Sequence, residues 1–164
     1  MYSKKHLWLI VVAAIAVLAA AMYSQYVLKM EPCPLCIFQR VAVMGVGLCA
    51  LLMALLPQRK SGMGFFASVL VSIPAVIGLC IALRHRYIQG LPPSELPACG
   101  PGLDFMLQTL PMQGVIQTVL SGSGECATVE NILGLPLPIW SAIFFIFVLL
   151  VAWVGWFKFR RGRR

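Results

Sequence analysis

Four long apolar runs constrain this chain more than any other feature of its sequence. They cover residues 7–28, 37–56, 63–83 and 139–157, and each has about the 20 residues that an α-helix needs to cross the hydrocarbon core of a bilayer. The chain is 60% hydrophobic and 11% charged, an apolar content that a soluble domain of this length could not bury. The sequence therefore predicts an all-α membrane protein, with residues 1–164 forming one bundle of four transmembrane helices.

The first apolar run has one alternative interpretation, a cleaved signal peptide. Lys4 and Lys5 precede it, and basic residues also precede the apolar core of a signal peptide. Such cores are roughly 7–15 residues long, whereas this run is longer and is not followed by a separate small-residue cleavage site before a polar start. We therefore expect a true membrane span.

Basic residues fall mainly on one side of the predicted membrane. Segments 1–6, 57–62 and 158–164 hold nine of the thirteen Lys and Arg residues. All five acidic residues lie in segments 29–36 and 84–138. The positive-inside rule then places both termini in the cytoplasm and the two acidic segments outside, in the periplasm of a bacterial cell. The basic tail is explained by this orientation and by contact with anionic lipid, so no nucleic-acid partner is expected.

Four of the six cysteines lie in the outer segments, at Cys33, Cys36, Cys99 and Cys126. Disulfides persist in an oxidising compartment such as this one. Residues 33–36 form a C-x-x-C motif, a two-electron thiol–disulfide couple placed where one span ends and the next begins. Cys99 and Cys126 form a second candidate pair, either a structural staple or an exchangeable disulfide. Four cysteines allow three pairings, so the resting connectivity stays open.

The two remaining cysteines lie within predicted spans. Cys49 is expected to act as a small buried hydrophobe, because a buried thiol is inert. Cys80 is closer to the outer end of its span, and we expect no redox role for it.

Cys36 combines two features that favour a thiolate. Pro34 suits the first position of a helix, which places Cys36 in the first turn, where unpaired N–H groups and the helix dipole favour an anion. Arg40 lies four residues later on the same helix face. Because an arginine within an apolar span is costly, Arg40 is a candidate functional residue. Its alternative role is to reach the lipid headgroups from near the span's end.

A lipid-soluble quinone is the electron acceptor that fits best. The sequence has no glycine-rich phosphate loop for a nicotinamide or flavin. Ile37 follows Cys36, where c-type haem attachment needs histidine. The cysteine spacing is not that of a zinc finger or ribbon, so no metal site is predicted. The bilayer would supply ubiquinone or menaquinone without a binding motif.

The outer segment 84–138 is expected to be mostly irregular. It holds seven of the eleven prolines and seven of the fourteen glycines, and long irregular segments are usually functional or mobile. One part has helical periodicity, with apolar residues at Met112, Val115, Ile116, Val119 and Leu120. This pattern predicts a short interfacial helix lying on the membrane, or alternatively a helix packed on the bundle.

Together these motifs resemble the DsbB (disulfide bond formation protein B) family of membrane thiol:quinone oxidoreductases. The resemblance lies in the C-x-x-C at residues 33–36 followed by Arg40, in Ser-Gly-Glu-Cys-Ala at 123–127, and in Leu-Gly-Leu-Pro at 133–136 ahead of Trp140. It extends to the whole topology of four spans and two outer segments with a cysteine pair in each. Residues 90–122 match only in spacing.

The resemblance implies a relay of electrons across the outer face of the inner membrane. It implies that a reduced DsbA-like periplasmic thiol oxidase attacks Cys99, with Cys126 as the leaving sulfur. Electrons would then pass to Cys33 and Cys36. Cys36 would contact a quinone from the membrane pool, with Arg40 polarising a quinone oxygen.

His85, followed by Gln89 at the outer end of the third span, resembles a further family feature near the quinone. As a lone histidine between Arg84 and Arg86, it has a second interpretation as an interfacial anchor.

Three other functions remain open from the sequence. A vitamin-K-epoxide-reductase-like membrane thiol oxidoreductase also uses four helices and a quinone, but its C-x-x-C is expected at a late span. A disulfide reductase or isomerase feeder would run the relay backwards, although no cysteine lies in a cytoplasmic segment. A non-enzymatic membrane scaffold with two structural disulfides would leave Arg40 without a role.

Overall fold

The computed structural model describes residues 4–30, 32–56, 61–92, 103–121, 131–132 and 134–161. Its helices are α1 (Lys4–Tyr26), α2 (Pro34–Leu55), α3 (Ser61–Ile88), α4 (Leu103–Thr109), α5 (Met112–Ser121) and α6 (Leu137–Arg161). Two short strands, β1 (Asn131–Ile132) and β2 (Leu135–Pro136), pair antiparallel. The long helices α1, α2, α3 and α6 are each apolar enough to cross a membrane, which confirms the predicted four-span, all-α fold.

Local sequence explains where α2 and α3 begin and end. Cys33 caps α2 in an extended conformation, and Pro34 occupies the first helical turn, where its missing N–H has no intrahelical partner to lose. α3 continues five residues beyond the predicted end at residue 83. The charge of Arg84 argued for a helix end there, but Ile88 is fully buried against the neighbouring helices and holds the last turn in place.

Small residues bring the four long helices close together. The main core contains Ala14, Ala42, Ala50, Ala67 and Ala75, all buried. In lipid, where apolar side chains gain little by leaving their surroundings, such residues favour association because they let helix backbones approach closely.

Large apolar side chains cover the outside of the bundle instead. Ile15, Leu48, Phe66, Ile73 and Leu150 are all more than half exposed. Exposed apolar surface on this scale is what a bilayer-embedded bundle presents to lipid tails.

A second, smaller core closes the end of the bundle that carries the C-x-x-C motif. We call it the cap cluster; its buried members are Leu35, Ile81, Ile88, Met106 and Val115. They come from the start of α2, the end of α3, and α4 and α5. Because Val115 is 1% exposed, α5 packs on the bundle, as the second of the two sequence interpretations proposed.

The segment before α5 is more ordered than predicted. α4 occupies residues that were expected to be irregular. Its seven residues follow a proline-rich stretch and are too few to show a helical apolar pattern. Gly134 has a φ of 80° in the turn between β1 and β2, a left-handed conformation that glycine adopts without strain. The remaining outer residues named above, including Cys99, Cys126 and the motif at 123–127, lie outside the described residues.

Candidate functional site

The C-x-x-C motif lies at the start of α2, beneath the cap cluster. Cys33 is half-buried just before the helix, and Cys36 is 9% exposed in its first turn. Their sulfurs are 3.2 Å apart, with the Cys33 thiol donating to Cys36 Sγ, close enough for the pair to form a disulfide after a small movement. Leu35, between them, is fully buried in the cap cluster and fixes the orientation of the turn.

His85 approaches both sulfurs from the last turn of α3. Its Nε2 lies 3.8 Å from Cys33 Sγ, and its Nδ1 lies 3.9 Å from Cys36 Sγ. The ring is 3% exposed, so it lies inside the protein and does not occupy the interfacial position that the anchor interpretation requires. An imidazole placed here can accept a proton from a thiol or donate one to a thiolate.

Gln39 is a site residue that the sequence reasoning missed. It is 4% exposed, and its Nε2 lies 3.2 Å from His85 Nδ1. This contact fixes the plane of the imidazole and, through the orientation of the amide, which ring nitrogen carries the proton. A polar residue within an apolar span, three positions after Cys36, was the signal that could have identified it.

Arg40 joins α2 to the end of α1. Its Nη1 donates to Gln25 Oε1, and its Nη2 donates to the backbone oxygen of Ala21 at 3.2 Å. Gln25 was also missed by the sequence reasoning. The guanidinium has five N–H donors, so these two contacts position it without using its full capacity.

A cavity of 530 Å³ opens beside the dithiol, between α1, α2 and α6. Its polar lining residues are Cys36, Gln39 and Arg40 on α2, Ser24 on α1 and Ser141 on α6. The rest of the wall is largely apolar and includes Val17, Leu18, Val43, Trp140, Phe144 and Phe147. Its volume is in the range of known small-molecule sites, which are typically about 300–1,000 Å³ with a few polar groups in an apolar wall.

The structure brings together four of the predicted site positions and leaves two undescribed. Cys33, Cys36 and His85 are in mutual contact range, and Arg40 shares the cavity with Cys36. Cys99 and Cys126 lie outside the described residues.

The other two cysteines lie apart from these contacts. Cys49 is a partly buried thiol packed against the main core, and Cys80 is an exposed thiol on α3.

Comparison with known proteins identifies the family of this chain over nearly its full length. The family model described as disulfide bond formation protein DsbB matches residues 3–155. A disulfide bond formation protein B from Acinetobacter baumannii is 42% identical over 152 residues, which cover 92% of this chain and 89% of the relative.

Two further relatives carry the same name. The protein from Neisseria meningitidis serogroup A is 40% identical over 154 residues, covering 93% of this chain and 94% of the relative. The protein from Chromobacterium violaceum is 42% identical over 158 residues, covering 95% and 93%. The chain therefore belongs to the DsbB family of disulfide bond formation proteins.

Proposed function

We propose that this chain re-oxidises a DsbA-like dithiol oxidase by passing electrons through Cys99 and Cys126, then Cys33 and Cys36, to a membrane quinone. As a DsbB family member, the chain is a disulfide-forming oxidoreductase with several membrane spans. The proposal adds which residues carry the electrons and where the quinone binds.

The observation that carries this proposal is the double position of Cys36. Its sulfur is 3.2 Å from Cys33 Sγ, and the same residue lines the 530 Å³ cavity. A thiol that can close a disulfide on one side and contact a bound molecule on the other is what electron transfer from the dithiol to a ligand requires.

The cavity fits the headgroup of a quinone better than a charged cofactor. Its wall is mainly apolar, and Cys36, Gln39 and Arg40 supply polar atoms from α2, beside the hydroxyl groups of Ser24 and Ser141. Arg40 and Gln39 can donate hydrogen bonds to carbonyl oxygens, and the apolar helices would accommodate an isoprenoid tail. A bound quinone, ubiquinone or menaquinone, would accept two electrons and two protons.

Oxidation of the Cys33–Cys36 dithiol supplies the two electrons and two protons that the quinone accepts. Closing the Cys33–Cys36 disulfide breaks two S–H bonds and releases two electrons and two protons. When the Gln39 amide turns its oxygen towards the Nδ1 proton, His85 Nε2, 3.8 Å from Cys33 Sγ, is free to take the proton of that thiol, and the Cys36 proton passes to the quinone in the cavity. Gln39 holds the imidazole in position through its contact at Nδ1.

Arg40 supplies positive charge to the wall of the cavity that Cys36 also lines. Its contacts with Gln25 and Ala21 hold the guanidinium at the cavity wall. A fixed cation there favours negative charge, whether on the Cys36 thiolate or on a ligand oxygen.

The outer half of the relay rests on the sequence resemblance. It assigns Cys99 to the attack by the reduced partner and Cys126 to the leaving sulfur. The charge distribution supports a bacterial inner-membrane orientation with the cysteine segments in the periplasm and both termini in the cytoplasm.

Quinone reduction by the purified full chain in detergent tests the proposal. A reduced DsbA-like protein is the donor, and the loss of quinone ultraviolet absorbance is the readout. We expect Cys36→Ser and Cys99→Ser each to lower turnover by at least about 10³-fold, because each removes a covalent step. Cys80→Ser is the matched control and keeps full turnover.

Turnover that survives either active-site change would contradict the relay. Absence of turnover in the unaltered chain with both ubiquinone and menaquinone, combined with disulfides that resist mild reductant, would instead favour the structural scaffold.

A further inference from the structure

We propose that the reduced Cys33–Cys36 pair and His85 form a binding site for a thiophilic divalent cation such as Zn²⁺, which holds the dithiol in its reduced form. The sequence predicted no metal site, because the cysteine spacing is not that of a finger or ribbon. The third ligand comes instead from α3, 49 residues after Cys36. Only the folded bundle brings the three together.

The distances between the candidate ligand atoms support this site. One ligand atom from each of the three residues lies within 4.8 Å of the other two. The sulfurs are 3.2 Å apart, and His85 Nε2 is 3.8 Å from Cys33 Sγ. With Zn–S bonds of about 2.3 Å and Zn–N bonds of about 2.0 Å, tetrahedral geometry places neighbouring ligand atoms about 3.5–3.8 Å apart. Completing the site needs the two sulfurs to separate by about half an ångström and the imidazole to move by up to about 1 Å towards Cys36 Sγ.

The surrounding chemistry favours a cation bound by two thiolates. Two thiolates and one Zn²⁺ are together neutral, which suits a site where Cys36 and His85 are buried at the edge of a membrane bundle. Gln39 supports the third ligand: with Nε2 on the metal, the imidazole proton lies on Nδ1, where a rotated Gln39 amide accepts it. Three protein ligands leave a fourth position open.

Metal binding and disulfide formation exclude each other here. Binding forms two metal–sulfur bonds and one metal–nitrogen bond and releases the two thiol protons, with no change in oxidation state. Closing the disulfide removes both thiolates and therefore the site. A cation at 100 times its Kd would stabilise the dithiol about 100-fold. That corresponds to a rise of about 60 mV in the reduction potential of a two-electron couple.

This inference does not depend on the proposed quinone reaction, because it needs only the two thiols and the imidazole. The test uses the full chain with Cys99→Ser and Cys126→Ser, so that no outer thiol contributes. Cd²⁺ alone is the probe, because its thiolate bonds give an ultraviolet charge-transfer band. We expect one Cd²⁺ bound by two thiolates in the reduced protein and no band after oxidation.

Two further variants assign the ligands. Cys33→Ser should abolish the two-thiolate band, and His85→Asn should lower the Cd²⁺ affinity at least tenfold. Cys80→Ser is the control and should change neither. In a separate titration, Zn²⁺ should raise the reduction potential of the pair by about 30 mV for each tenfold excess over its Kd.

Three results would overturn the metal site. They are absence of the band in the reduced protein, an undiminished band in Cys33→Ser, and unchanged Cd²⁺ affinity in a folded His85→Asn. Because His85 is buried, circular dichroism checks that its variant folds. If it does not fold, the oxidation and Cys33→Ser comparisons decide the outcome. A failed quinone assay alongside normal Cd²⁺ binding would count against the proposed function only.

Discussion

Helix α6 has two neighbours that it contacts in very different ways. It packs closely along α3 over most of its length, whereas it meets α1 at only a few positions. Gly78 allows the close approach of α3 and α6, since a Cβ at this position would lie 2.1 Å from the Phe145 ring. Ser68 on α3 also donates to the backbone oxygen of Ala152 on α6 at 2.9 Å.

The α1–α6 pair is close at one end and open at the other. Near the chain termini, a Cβ on Gly155 would lie 2.6 Å from the His6 ring. Towards the C-x-x-C motif, the same two helices separate and form opposite walls of the 530 Å³ cavity. Both pairs are built from apolar spans, so the difference shows that binding space arises where tight contacts stop, beside the polar residues of α2.

The largest expected effect on stability is at the closely packed α3–α6 pair. Gly78→Ala should lower the free energy of unfolding by about 3 kcal/mol, because the added methyl group overlaps the Phe145 ring and overpacking is costly. Thermal unfolding in detergent measures it. Gly62→Ala on the same helix is the control, since nothing lies within 4 Å of the added atom. Equal stability of the two variants would contradict the close α3–α6 contact.

The next largest expected effect is on quinone kinetics, from a change of Arg40 at the cavity between α1 and α6. Arg40→Lys keeps the charge but cannot donate to both Gln25 and Ala21 and still present a donor to the cavity. We expect kcat/KM for quinone to fall about 30-fold, equivalent to about 2 kcal/mol for a charged hydrogen bond. Arg84→Lys, which stays near Tyr87, is the matched control. Equal kcat/KM values for Arg40→Lys and Arg84→Lys would contradict a hydrogen bond from Arg40 to the quinone.

Filling the open space should give a smaller effect. Ala21 lines the cavity, so Ala21→Phe should raise KM for quinone about tenfold, or about 1.4 kcal/mol, by occupying volume that the headgroup needs. Ala19 on the same helix is exposed, and Ala19→Phe should leave KM unchanged. Steady-state kinetics at varied quinone distinguish them. An unaltered KM in Ala21→Phe would place the quinone elsewhere.

The smallest effect concerns the hydrogen bond between α3 and α6. Ser68→Ala should lower the free energy of unfolding by about 0.6 kcal/mol, a typical value for interhelical hydrogen bonds in membranes. Thr109→Ala is the control, because it removes an exposed hydrogen bond within α4 and no contact between helices. A free energy of unfolding that is higher for Ser68→Ala than for the unaltered chain would contradict a stabilising role of this bond.

The sequence predicted the features that depend on local pattern. Run length identified the four spans, and helix geometry placed Cys36 and Arg40 on one face. It missed Gln39 and Gln25 because their roles depend on His85 and Arg40, partners 46 and 15 residues away. The cavity was also unpredictable, since no local pattern shows where α1 and α6 separate. α4 was missed because a seven-residue helix has too few apolar positions for its period to be recognised.

The most direct test of this account is a single-turnover experiment on the full chain with Cys99→Ser and Cys126→Ser. Its Cys33–Cys36 pair is reduced, freed of reductant and mixed with quinone in detergent. We predict that one quinone is reduced for each protein molecule as one disulfide forms, and that adding Cys36→Ser abolishes both changes. Quinone that stays oxidised beside a fully reduced Cys33–Cys36 pair would contradict the transfer of electrons from this dithiol into the cavity.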